Sequence, residues 1–274
     1  MLFIWIGMNK YFITYCDYPE NHPVRVVYEQ HTKPRFVEYC NIHGFQFTEI
    51  RKNIAHPFDL GFSKVFWIKQ NMHKFQDGDV ITYMDVDCCI VDGRFPAVFD
   101  ADFAIVRETC GLLCMGGTWS VRISDWSRKF IKEFCSRYRQ SLSKDTDLWK
   151  TWHENGAVYD MLGLEWDAEM DTMGTKSPSP FSKKELNNHV LVLPVTWGVT
   201  YNPNDVDFDQ PLVFSKTGQI HRGLRNSDRT YQIISTCAKP DRICKSEEII
   251  VRHLSARTML RPWASKYFDK KMIV

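Results

Sequence analysis

The chain has 274 residues, 25% charged and 44% hydrophobic, with a formal net charge of +2. Those proportions are ordinary for a soluble globular protein, and so small a net charge excludes a whole-molecule field that would by itself recruit nucleic acid or membrane. The charge is unevenly spread: from Pro211 onward there are 13 Lys or Arg against 5 Asp or Glu, a balance of +8 in a quarter of the chain.

Nine cysteines, an odd number without paired spacing, predict reduced thiols and a cytoplasmic setting. The opening MLFIWIGM is too short to span a membrane. In chain order, Lys10 to Cys16 is aromatic and β-branched and predicts a first strand. Val24 to His43 carries apolar residues at spacings of three and four and predicts a helix closed by Gly44, with Pro34 breaking or kinking it. Phe45 to Ile50 alternates as a second strand, and Phe62 to Phe75 predicts a second helix. Strand, helix, strand is the unit of an α/β sheet.

Asp77 to Asp92, DGDVITYMDVDCCIVD, is the stretch around which the chemistry gathers. Val80 to Met84 predicts a strand buried on both faces, and Asp85 and Asp87 stand at its end. Carboxylates beside a buried strand need a partner. Two of them suit a hard divalent cation, which favours oxygen ligands and often bridges to phosphate. In a parallel sheet, ligands bind at the carboxyl ends of the strands.

Further on, Asp102 to Val106 predicts a short strand, and Leu112 to Ile123 two β-prone pieces about Gly116 and Gly117. Ser124 is placed to cap an amphipathic helix bearing Trp126, Phe130, Ile131, Phe134 and Tyr138. His153 to Gly163 predicts another helix, with Glu154 in its first turn. Met173 to Asn188, rich in Ser, Pro, Gly and Lys, predicts a mobile lid. Val190 to Val195 predicts a strand, Val213, Phe214 and Ile220 flank a turn, and Glu247 to Leu260 predicts a helix in a basic, aromatic tail. No linker divides the chain clearly, so one domain over residues 1–225 is expected, with residues 226–274 packed on it as a basic C-terminal extension.

The order of elements, the DVD pair, SDWSRKFIKEF, HENGAVYDML and the late HRG resemble GT-A glycosyltransferases, closest to the galactosyl- and xylosyltransferase-like branch and related retaining enzymes. The resemblance runs from about Lys10 to Arg225. It implies an α/β fold of Rossmann-like type, with a mixed, mostly parallel sheet flanked by helices. It implies a nucleotide-sugar donor, UDP-linked, and Mn2+ or Mg2+ held by Asp85, Asp87 and His221. It places Tyr15 and Asp17 at the nucleotide base and ribose, and Lys69, Asp85, Gly117 and Gly223 along the donor. Glu154 and Asn155 would flank the reacting carbon, where the family usually has Asp-Gln. The resemblance favours retention of configuration. Inversion would make Glu154 a general base on the acceptor hydroxyl.

The acceptor stays open between a glycan or lipid-linked sugar and the hydroxylated bases of phage DNA. Arg222, Arg225, Arg229, Arg242, Arg252, Arg257, Arg261, Lys266, Lys270 and Lys271, with Trp263, Tyr267 and Phe268, suit nucleic-acid phosphates with base stacking. They equally suit peripheral contact with anionic headgroups. A non-catalytic sugar-nucleotide binding module is the alternative outside enzymology.

Overall fold

The computed structural model describes residues 7–55, 60–106, 113, 115–138, 154–167, 172–175, 179–200, 212–214, 220–222, 243–244, 251–254 and 271–274. Its centre is a six-stranded sheet in the order β2-β1-β3-β6-β5-β9. These strands are β1 (Lys10–Tyr15), β2 (Gln46–Ile50), β3 (Val80–Tyr83), β5 (Phe103–Val106), β6 (Trp119–Arg122) and β9 (Val190–Leu193). β1 pairs in parallel with β2 and β3, and β5 with β9, whereas β6 runs antiparallel to β3 and β5. The sheet is therefore mixed and mostly parallel, as the resemblance implies.

Alternation along β1 divides the core. Phe12 packs with Val24, Tyr28, Phe36 and Tyr39, from the helical run on one face of the sheet. Ile13 belongs to the opposite cluster with Val65, Ile68, Phe130, Phe134 and Val158, from the helices on the other face. β3 lies between β1 and β6 and is buried along its whole length, which is why it reads as an unbroken apolar run.

The helical run between β1 and β2 shows how Pro34 is accommodated. It comprises α1 (Pro23–Val27), a π-helical turn (Tyr28–Thr32) and α2 (Lys33–His43). Proline cannot donate to the carbonyl four residues back, and its ring crowds that carbonyl. The wider π turn lies just before it, so the helical run continues instead of breaking. Gly44 ends α2 in the left-handed conformation, φ 66°.

On the other face, α3 (Ser63–Asn71) leads into the turn before β3, and α4 (Asp125–Ser136) follows β6. Ser124 caps α4 by accepting from the amide of Ser127, whose hydroxyl accepts from the amide of Ser124 in turn. α5 (Glu154–Leu162) and α6 (Lys183–His189) complete the described α-helices.

Two expectations of secondary structure are corrected. The span expected to be loop contains strand β8 (Thr172–Thr175), antiparallel to β7 (Leu164–Asp167), and helix α6 with a Ser182–Glu185 capping box. The span predicted as a helix over 247–260 contains strand β14 (Val251–His253), buried at all three residues. β14 pairs antiparallel with β4 (Cys88–Ile90) and parallel with β10 (Val199–Thr200), forming a small second sheet. Burial of alternately placed Val251 and His253 against β4 overrides the weak helical spacing. β11 (Leu212–Phe214) and β12 (Ile220–Arg222), which carry Val213, Phe214 and Ile220, pair antiparallel, with β13 (Ile243–Cys244) on the far side of β11. Among the described residues, no helix is long and apolar enough to cross a membrane.

Candidate active site

The parallel strands β1 and β3 deliver their carboxyl ends to the same edge of the sheet. A cavity of about 180 Å³ opens there. Its walls come from the end of β1 (Tyr15, Asp17, Tyr18), the approach to α3 and its first turn (Gly61, Lys64), the end of β3 with the following turn (Tyr83, Asp85, Val86, Asp87), and the start of α5 (Glu154). Of the residues predicted for the site, Tyr15, Asp17, Asp85, Asp87 and Glu154 meet at this one cavity.

Four carboxylates face one ammonium here. Lys64 is 3% exposed, with Nζ 3.5 Å from Glu154 and 4.0 Å from Asp85. The same nitrogen stands 4.8 Å over the ring of Tyr83. A buried ammonium is tolerable only with such partners. Tyr83 is itself immobilised by stacking on Trp119, ring centroids 5.0 Å apart, and its hydroxyl donates to Asp85 Oδ1. Burial pushes the Asp85 carboxyl up to about 6; Lys64 draws it back and the Asp87 charge raises it. Burial likewise raises the Tyr15 hydroxyl well above the ordinary tyrosine range, with Asp17 adding to the effect.

Gly61 lets the chain pass against Glu154. A Cβ there would stand 2.1 Å from one carboxylate oxygen and 2.6 Å from the other. Asn155, the next residue of α5, is tied to the scaffold: its Oδ1 accepts from the amide of Met115 at 2.8 Å.

Behind Asp87 lies a set of donors that could hold a metal ion. Asp87, Cys88 and His253 are buried, and their oxygen, sulfur and nitrogen atoms lie within 4.8 Å of one another. His253 Nε2 is 3.2 Å from Asp87 Oδ1, within ion-pair reach, and this shielded oxygen accepts no hydrogen bond. A buried carboxylate oxygen without a hydrogen bond is costly. A cation between it and the imidazole removes that cost, so these residues fit a metal.

The remaining predicted residues fall elsewhere. Lys69 is exposed on α3, with Nζ 5.9 Å from the Phe66 ring; the lysine that reaches the cavity is Lys64, five residues earlier. Gly117 is buried in the turn before β6 and is not part of the cavity wall. The backbone of His221 lies in β12 opposite Val213, but its side chain, and all of Gly223, lie outside the described residues. Arg252, grouped in the sequence with anion-binding residues, is 3% exposed within β14, so it is not part of a basic surface. Most of the rest of that basic group lies outside the described residues.

The sequence reading missed Lys64 and His253. Lys64 is one of two lysines on an apolar-spaced helix, and only its place in the first turn, nearer the strand ends, separates it from Lys69. His253 follows Val251 in a β-prone VRHL; that alternation was the available signal.

No family model and no curated protein sequence matches the chain. Among solved structures, similarity is found to a glycosyltransferase involved in glycosylating the major capsid of PBCV-1 (16% identity, 70% of this chain and 84% of that one, TM-score 0.45). It is also found to the glycosyltransferase GlyE of Streptococcus pneumoniae (10% identity, 69% and 47%, TM-score 0.38) and to LgtC (10% identity, 88% and 86%, TM-score 0.36). Overlaps this loose do not place the chain in a family.

Proposed function

We propose that the chain is a metal-dependent glycosyltransferase that moves a sugar from a nucleotide-sugar, UDP-linked, to an acceptor hydroxyl of a glycan or lipid-linked sugar, with retention. The observation that carries this reading is Asp87, whose Oδ1 stands 3.2 Å from His253 Nε2 without accepting a hydrogen bond, in the wall of a cavity that also holds Asp85, Lys64 and Glu154.

Asp87 and His253 would hold the cation. When bound, it supplies Lewis-acid stabilisation to the negative charge on the departing diphosphate, a contribution of several kcal/mol. Lys64 supports the reading as a second positive group in the same wall, held by Asp85 and Glu154 and directed at the same anion. Glu154 offers a carboxylate to the oxocarbenium-like sugar, and Asn155 steadies the Met115 turn beside it. Tyr15 and Asp17, at the tip of β1, suit the base and ribose.

Release of free nucleotide from a panel of nucleotide-sugars, with Mn2+ and no acceptor, tests the proposal. One donor is expected to be hydrolysed. Asp87→Asn, nearly the same size, is expected to lower that rate about 1,000-fold, corresponding to about 4 kcal/mol, with the melting temperature little changed. An Asp87→Asn protein at full rate, or no donor bound or cleaved, would refute it.

A further inference from the structure

The donor set behind Asp87 contains a sulfur that a site for Mn2+ or Mg2+ does not need. β4 and β14 run antiparallel with Cys88 directly opposite His253. Residues paired this way present their side chains on the same face, with Cβ atoms about 5 Å apart. Asp87 precedes Cys88, and the Asp87 carbonyl accepts from the Leu254 amide at 2.9 Å, which fixes this register immediately beside the imidazole. Cys88 is fully buried, and its thiol donates to the carbonyl of Gly116 at 3.8 Å, a bond that ligation as thiolate would replace. Cys89, next along the strand, has alternate direction; its sulfur lies 4.0 Å from the Ile90 carbonyl, and it is not among the clustered donors.

We infer that Cys88 is a third protein ligand to the cation, making the site a mixed oxygen, nitrogen and sulfur pocket selective for a borderline ion such as Zn2+, Co2+ or Fe2+ over a hard one. The inference rests on the metal-site reading above and adds the identity of the ion class. Carboxylate alone suits Mg2+, Ca2+ and Mn2+, imidazole suits Zn2+ and its neighbours, and thiolate shifts preference further toward the softer ions. The buried wall around the three donors limits replacement of the sulfur by water, and the Asp87 oxygen, which accepts no hydrogen bond, supplies the anionic partner that a borderline ion also accepts.

The test is X-ray absorption on the full chain loaded with Zn2+. The wild type is expected to show a sulfur shell at about 2.3 Å beside nitrogen and oxygen at about 2.0–2.1 Å. In Cys88→Ser, and equally in Cys88→Ala should serine perturb folding, the sulfur shell disappears while the ion stays bound. Competition between Zn2+ and Mn2+ should then move at least about 10-fold toward Mn2+. Cys89→Ser should retain the sulfur shell. A wild-type shell of nitrogen and oxygen alone, with binding lost in Asp87→Asn, overturns the role of Cys88 and leaves the metal site standing. A sulfur shell that survives Cys88→Ser also overturns it. Binding of Zn2+ and Mn2+ that neither Asp87→Asn nor His253→Ala weakens overturns both readings.

Discussion

The two sheets that meet at the site are built differently. In the six-stranded sheet, strands of four to six residues carry aliphatic and aromatic side chains into two cores, one on each face. In the β10-β14-β4 sheet, strands of two or three residues come from three distant parts of the chain. The large sheet supplies packing and places Asp85 and Tyr15 by ordinary strand geometry. The small sheet is buried as fully, with Cys88, Cys89, Ile90 and Val251 in one of those cores, and among the described residues it is what brings His253 to Asp87. The seam between the two sheets runs through Asp87, which lies between β3 and β4 and lines the cavity.

Lys64 stands on the large-sheet side of that seam. Removing it should give the largest effect on stability. Lys64→Met takes the ammonium from two partly buried carboxylates while keeping most of the side-chain volume. Breaking one side of a fully buried ion pair typically costs about 3–5 kcal/mol; partial exposure of both carboxylates and packing of the thioether against Tyr83 bring the expected loss to about 2 kcal/mol. A urea midpoint unchanged by Lys64→Met would mean that Asp85 and Glu154 are solvated well enough without it, and that the seam carries no electrostatic burden.

Gly61→Ala sharpens the same comparison at smaller cost. The added methyl meets only the end of the Glu154 side chain, which can swing aside, so the loss of stability should stay below about 1 kcal/mol. Displacing that carboxylate from Lys64 should nonetheless lower donor turnover about 10-fold, since small misplacements of a positioned group are costly. Equal loss of stability and turnover would show that the glycine serves folding alone.

The division between the sheets also explains what the sequence disclosed. Val80 to Tyr83, the helix capped by Ser124 and the Glu154 helix are local patterns, in which a period of two or near four reports burial directly. Asp85 and Asp87 sit at the end of such an element and were legible from it, whereas Tyr15, Asp17 and Glu154, also at element ends, were assigned by the resemblance. β14 has no such advantage: three residues cannot display a period, and their partner β4 is more than 160 positions away. The side chain of His221, which the resemblance implies as a ligand, lies outside the described residues, and the imidazole that stands at Asp87, His253, comes from a segment whose spacing suggested a helix. Pro34 misled for a related reason: its local penalty is real, and the π turn that absorbs it has no residue signature of its own.

The smallest effect is expected where the small sheet is fastened at its far end. Asp92, 2% exposed, follows β4 and bridges to Ile273, and Arg94 holds its carboxylate with two side-chain hydrogen bonds at 3.0 and 2.7 Å. Those bonds, above all, keep the Asp92 pKa below its ordinary value. A carboxyl whose folded pKa is depressed adds stability that is fully present above its unfolded pKa of about 3.9, and that stability is lost as pH falls through the lower folded value. Arg94→Ala should therefore be less stable than the wild type at pH 7, with the two urea midpoints converging as pH falls below both values. Because the arginine is exposed, solvent screening keeps the gap small. A gap that persisted unchanged into acid would assign the contact to packing around Phe95, and the tether of the small sheet would then owe nothing to charge.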